Sequence, residues 1–291
     1  MTSRTRRAGS AGGSPAAQVD RDSLSDDGWL ARDLAEHAGQ ELVELRERTG
    51  FADRGALRAA GDATAQRLIS TRLALARPGD ATLSEEAADD HCRLGADRVW
   101  IVDPLDGTRE FAEEGRSDWA VHVALWSNGE LVAGAVALPG RGVTLSTVTL
   151  HSQTLAAENG REPSQISRRI PRLAVSRTRP PAIAERVAAA LGAELVPMGS
   201  AGAKVAAVVL GDVDGYLHAG GQYEWDSAAP VAVALAAGLH ATRLDGSPLR
   251  YNQPDPLLPD LLVCVPELAP AILDVTGPVS AHDTIPAGGN P

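Results

Sequence analysis

Aromatic side chains are scarce in this chain, 3% of its 291 residues, and cysteine is scarcer still, with two. So small an aromatic share argues against an aromatic-rich all-β sandwich. Ala, Val and Leu supply most of the 44% apolar content, which suits helices packed on sheets. Cys92 and Cys264 stand far apart, without CxxC or metal-ligand spacing. That excludes a disulfide scaffold and points to a reduced, intracellular, cytoplasmic protein. No apolar run approaches the ~20 residues that cross a bilayer, so no integral membrane segment is expected. Basic charge is also in deficit: the net charge is -11. A nucleic-acid partner is therefore excluded, because such domains carry a basic patch against the phosphates. A small anionic substrate remains compatible if metal ions bring the positive charge.

What is present is length and alternation. A chain of 291 residues can bury a sizeable core as one large α/β unit or two fused halves. Residues 1–25 are small, basic and polar and are expected to form a disordered tail, as is the Gly/Pro-rich end, 276–291. Helical spacing predicts one helix over Ser25 to Arg48 and a second from Arg54 to Arg77, closed by Pro78-Gly79. A short strand, Ala81 to Ser84, precedes Glu85-Glu86, and Val99 to Val102 form the strand that delivers Asp103. From Trp119 to about Val148 the period changes to two, predicting an antiparallel meander of AVHVALW, ELVAGAVAL and GVTLSTVTL. The polar stretch 151–170 reads as a domain junction. Beyond it RLAVS, ELVPM, GYLHA and LHATRL alternate with helices near Pro180 to Leu191, Ala203 to Leu210 and Asp226 to Ala237. The expected organisation is an N-terminal α+β half, 26–160, and a C-terminal α/β half, 161–275.

Carboxylates collect at the ends of apolar segments in three places: Glu85-Glu86, Asp103 with Asp106, and Asp226 in EWDSAAP. One such acid is ordinarily a cap or turn former. Three groups brought together would repel and resist desolvation unless cations lay between them. Oxygen ligands without interleaved His or Cys suit Mg²⁺ rather than zinc. Pro104 stiffens the turn so that Asp103, the Leu105 carbonyl and Asp106 point to one side, and Gly107 permits an unusual backbone angle. If Thr108 opens a helix, the N–H groups of Gly107 and Thr108 make an anion seat beside the metals. Metals beside a phosphate seat describe a metal-assisted phosphomonoesterase.

The runs SEE (Ser84 to Glu86), DPLDGT (Asp103 to Thr108) and WDSAA (Trp225 to Ala229), in this order, resemble the signature of the inositol monophosphatase superfamily of Mg²⁺-dependent, lithium-sensitive phosphatases. Within it the chain looks most like the CysQ-like 3'(2'),5'-bisphosphate nucleotidases of actinobacterial type. Tyr216 lies ten residues before Asp226 and Gly220 six before, a longer segment than inositol monophosphatases carry. SRTR (Ser176 to Arg179) resembles the nucleotide-side motif, and Lys204 matches a lysine near the substrate's second phosphate. Two departures are visible: His218 stands where such sequences often have Arg, and Arg46 to Gly61 contains no lysine.

The resemblance implies a layered α/β/α/β/α sandwich of the inositol monophosphatase and fructose-1,6-bisphosphatase type, with the site in the cleft between the halves. It implies that Glu85, Asp103, the carbonyl of Leu105, Asp106 and Asp226 hold two or three Mg²⁺. Asp62 and Thr108 would orient the attacking water, with Glu86 as an assisting base. Asp106, Gly107, Thr108, Ser176, Arg177, Arg179, Lys204 and His218 would face the substrate, the two arginines as a 5'-phosphate clamp. The implied reaction removes the 3'-phosphate of adenosine 3',5'-bisphosphate, and of 3'-phosphoadenylyl sulfate, in sulfate assimilation. An inositol-1-phosphate or fructose-1,6-bisphosphate phosphatase is the alternative, and a catalytically idle Mg²⁺-binding scaffold the non-enzyme one. Dimers are common in the superfamily, so the resemblance also allows a homodimer.

Overall fold

The computed structural model of the protein describes residues 21–150 and 170–277. The expected junction and most of both expected tails lie outside those residues. Helix α1 (Arg21–Thr49) begins inside the stretch expected as tail and lies beside α2 (Arg54–Ala76). Asp53 caps α2 by accepting from the Ala56 N–H at 2.9 Å. Both helices cover one face of a five-stranded sheet ordered β1 (Ala81–Ser84), β2 (Arg98–Asp106), β3 (Ala120–Ser127), β4 (Glu130–Leu138), β5 (Val143–Ser146). The first pair is parallel and the rest form the expected antiparallel meander. The last strand is shorter than GVTLSTVTL suggests, because residues 147–150 turn helical. Ser146 starts that turn by accepting from the Thr149 N–H.

A second sheet is ordered β7 (Glu194–Met198), β6 (Arg172–Ser176), β8 (Gly215–Tyr223), β10 (Leu257–Cys264), β9 (His240–Thr242). The short helix α3 (Thr108–Phe111) follows β2; α4 (Ala182–Leu191) and α7 (Ala269–Thr276) cover the outer face of the second sheet. Between the sheets lie α5 (Ala201–Val209) and α6 (Glu224–Ala236).

Alternation along the strands explains the layers. In β2, Trp100 and Val102 pack toward α1 and α2, while Val99 and Ile101 pack toward α5 and α6. The central layer is small-residue helix: Ala203, Ala206, Ala207, Ala228, Ala229 and Ala234 are all buried, so sheet and helix backbones approach closely. This is the α/β/α/β/α sandwich. Both central helices point their first turns at the end of β2.

Candidate active site

The acid pair in DPLDGT sits in a strand rather than beyond its end. Asp103 pairs with His122 across the sheet and Asp106 with Ala120, so three steps on β2 oppose two on β3. The extra residue is a bulge at Pro104-Leu105, where proline's missing N–H costs the ladder nothing. Two acids three apart would ordinarily face opposite sides of a sheet; the bulge turns both to the same side. Gly107 then takes φ +84°, the left-handed conformation, and α3 starts at Thr108. Among the acids brought together, Asp103 and Asp106 are buried, at 1% and 8% exposure, and Asp226 is half-buried on the first turn of α6. Glu85 stands at the open side, directly after β1.

Their electrostatics record the crowding. Burial, then the charges of Glu85, Asp106 and Asp226, hold the Asp103 carboxyl well above its ordinary range. Desolvation and the Asp226 charge push Glu85 up to about 7, against a hydrogen bond with Asp103 that pulls it down. Burial and Asp106 raise Asp226 to about 6. Asp106 goes the other way: burial would raise it, but His122, the Lys204 charge and Ser200 together hold it below 3.8. Its Oδ2 accepts from the Ser200 hydroxyl at 2.5 Å and the Gly202 N–H at 2.7 Å, both at the start of α5.

Whether this donor set fits a cation can be tested on its unpaired atoms. Asp103 Oδ2 and His122 Nε2 are buried without a hydrogen-bond partner. Ligand atoms of Asp103, Asp106 and His122 lie within 4.8 Å of one another. Buried, unpaired acceptors among raised carboxylates are what a divalent cation would satisfy, so the residues fit the group. Neither His122 nor Ser200 stands out in the sequence. The available signal for His122 is a lone polar residue on the inward face of β3, between Ala120 and Ala124.

The remaining expected residues divide. Asp62, half-buried on α2, is raised to about 6 by burial and by Glu86, so it belongs to the acidic neighbourhood. The Thr108 hydroxyl donates to the Leu105 carbonyl at 3.1 Å, and no hydrogen bond joins it to Asp62. On the other side, burial, then Lys204 and Arg179, lower His218 to about 4, which places these three basic groups in one neighbourhood. Lys204 is buried, its ammonium donating to the carbonyls of Gly199 and Ser200. Ser176 accepts from the Arg179 N–H at 3.2 Å. Arg177 is already engaged, with Glu110 at 2.6 Å and Glu113 at 3.2 Å, carboxylates the sequence reading did not single out.

Comparison with known proteins agrees with this geometry. The inositol monophosphatase family profile matches residues 30–274. A 3'-phosphoadenosine 5'-phosphate phosphatase of Mycobacterium leprae is 55% identical over 261 residues, 86% of this chain and 93% of that protein. The 3'(2'),5'-bisphosphate nucleotidase CysQ of Escherichia coli K12 is 31% identical over 228 residues, 75% of this chain and 91% of its own. Among solved structures, CysQ from Bacteroides thetaiotaomicron superposes with a TM-score of 0.67 at 28% identity, covering 83% of this chain and 97% of that one. An inositol monophosphatase from Anabaena shares the fold with a TM-score of 0.66 at 20% identity. With its layered sandwich and its carboxylate cluster on the bulged end of β2, the chain belongs to the inositol monophosphatase family.

Proposed function

We propose that this protein is a Mg²⁺-dependent phosphomonoesterase that removes the 3'-phosphate of adenosine 3',5'-bisphosphate, yielding AMP and phosphate, and that also accepts 3'-phosphoadenylyl sulfate. The observation that carries the reading is the juxtaposition of two opposite neighbourhoods. Carboxylates raised by crowding lie at Asp103, Asp226 and Glu85 around the hydrogen-bonded Asp106, with Asp103 Oδ2 left unpaired, and the cations Lys204 and Arg179 gather beside His218. One side suits cations and a scissile phosphate; the other suits a second anionic group on the same small molecule. The 55% identity to a protein named for this nucleotide supports the same substrate.

Glu85, Asp103, Asp106, Asp226 and the Leu105 carbonyl would hold two or three Mg²⁺. When bound, the ions neutralise the phosphate and polarise its oxygens. Gly107 and Thr108 face the phosphate. Asp62, poised at about 6 beside Glu86, takes the proton of the attacking water near neutral pH. Lys204, fixed on two carbonyls, acts as a standing positive charge, while Arg179 and the SRTR turn approach the 5'-phosphate. Arg177 joins them by exchanging Glu113 for phosphate. The free thiols Cys92 and Cys264 support a cytoplasmic, reduced setting, and among the described residues no helix is long and apolar enough to cross a membrane.

Turnover of adenosine 3',5'-bisphosphate, inositol 1-phosphate and fructose 1,6-bisphosphate, each with Mg²⁺ and with added lithium, tests the proposal. The expected result is preference for the nucleotide, with lithium inhibition. Preference for inositol phosphate would overturn the substrate, and no phosphate release from any of them would overturn the enzyme.

A further inference from the structure

His122 is fully buried, yet it lies on the face of β3 that looks into the acid cluster. Its imidazole meets three elements at once. Nδ1 lies 3.2 Å from the carbonyl oxygen of Trp225, the residue before Asp226 on α6. Nε2 lies 3.2 Å from Asp106 Oδ2 on β2. On the α5 side the chain has Gly202, where an added Cβ would sit 2.0 Å from Nε2. The first turn of α5 is therefore cut away to admit the ring.

A carbonyl oxygen only accepts, so in the bond to Trp225 the ring donates through its Nδ1–H. The ring thereby ties the backbone beside Asp226 to the sheet that carries Asp103 and Asp106. The Asp226 carboxylate is braced from the other side by the Tyr223 N–H, at 2.6 Å from its Oδ2. Asp106 and Asp226 repel each other when ionised. Without a tether, the α6 turn would be free to swing outward and widen the gap between the two acids.

We infer that His122 is a positioning residue: through its Nδ1–H it holds the Asp226 turn of α6 at a set distance from Asp106 on β2, so that acids from helix and sheet are placed in advance for a cation. The inference rests on the reading of this cluster as a metal site.

The test uses the full chain and Mg²⁺ alone, with binding read by titration calorimetry in the absence of substrate. His122→Ala is expected to weaken Mg²⁺ binding about 10- to 100-fold, the usual effect of losing a group that orients a ligand. Two amide variants then locate the atom responsible. An Asn amide at this position reaches where Nδ1 stood, whereas a Gln amide reaches where Nε2 stood. His122→Asn should recover most of the affinity, and His122→Gln should resemble Ala. At saturating Mg²⁺, the KM for adenosine 3',5'-bisphosphate should stay within about threefold of wild type in the Asn variant. Wild-type affinity in His122→Ala, or rescue by Gln and not by Asn, would sink this inference while leaving the phosphatase reading intact. Failure of the wild-type protein to take up Mg²⁺ would remove the metal reading and this inference together.

Discussion

Replacing Asp226 by Asn should make the metal-free protein more stable at pH 8, although it removes a proposed metal ligand. Asp226 ionises near 3.8 in an unfolded chain and at about 6 in the fold, chiefly because it is buried and next because Asp106 lies near. The folded state thus holds this proton more tightly than the unfolded one. That contribution is fully present below pH 3.8 and is lost as pH rises through 6. The difference between about 6 and 3.8, at about 1.4 kcal/mol per pH unit, gives a ceiling of about 3 kcal/mol. Asn stays neutral at every pH and its carbonyl can still accept from the Tyr223 N–H. Asp226→Asn should therefore match wild type near pH 4 and melt higher at pH 8, by up to about 6 to 12 °C at about 2 to 4 °C per kcal/mol. Mg²⁺ should narrow or reverse the gap, because a ligand at about 100 times its Kd adds about 2.7 kcal/mol to the protein that binds it. Differential scanning calorimetry of both proteins, with and without chelator across pH 4 to 8, measures this. Taking the difference between variants cancels titrating groups that do not feel Asp226, such as His218, which is depressed to about 4 and acts with the opposite sign, whereas relief of Glu85 and Asp103 adds to the gain at high pH. A metal-free Asp226→Asn protein less stable than wild type at pH 8, or a gap independent of pH, would refute the reasoning.

Gly202→Ala drives a methyl into the His122 ring and should cost about 1 to 3 kcal/mol in denaturant unfolding, with a loss of Mg²⁺ affinity alongside. Arg93 is fully buried and holds the exposed Asp89 by two bonds, of 2.7 and 2.9 Å, with Asn252 at 2.7 Å; Arg93→Ala leaves the buried Asn252 carbonyl unpaired and should cost about 1 to 3 kcal/mol by chemical denaturation. Arg177→Ala should raise the KM for adenosine 3',5'-bisphosphate about tenfold or more, the worth of a charged hydrogen bond, while steady-state kinetics on inositol 1-phosphate change little. Glu113→Gln, which frees Arg177 from one competitor at 3.2 Å, should lower that KM.

Legibility in the sequence followed the range of the interactions involved. The helices and the meander were legible because one apolar face repeats every 3.6 or 2 residues, a property of neighbours in the chain. β10 escaped because Pro259-Asp260 interrupts its alternation. In the fold, that dipeptide sits at a register shift between Leu258 and Asp260, where proline is tolerated, and Asp260 is engaged by Arg243 and the Leu244 N–H. The helical start at Arg21 was hidden by a polar, small-residue context that reads as tail.

The acid motifs were legible for a different reason: too many carboxylates end apolar runs for caps alone to explain them. The groups that tune those acids were not legible, because each acts across a long loop of chain. His122 meets the Trp225 carbonyl, Ser200 meets Asp106 and Arg177 meets Glu110, pairings fixed only once the two sheets face each other across α5 and α6. A histidine among Ala and Val on a strand reads as an ordinary core residue until Gly202 is seen to have made room for it. Residues bearing net charge toward a ligand announce themselves by composition, whereas residues that set distances between such charges are chosen for fit. Their identity follows from packing, so only coordinates can single them out.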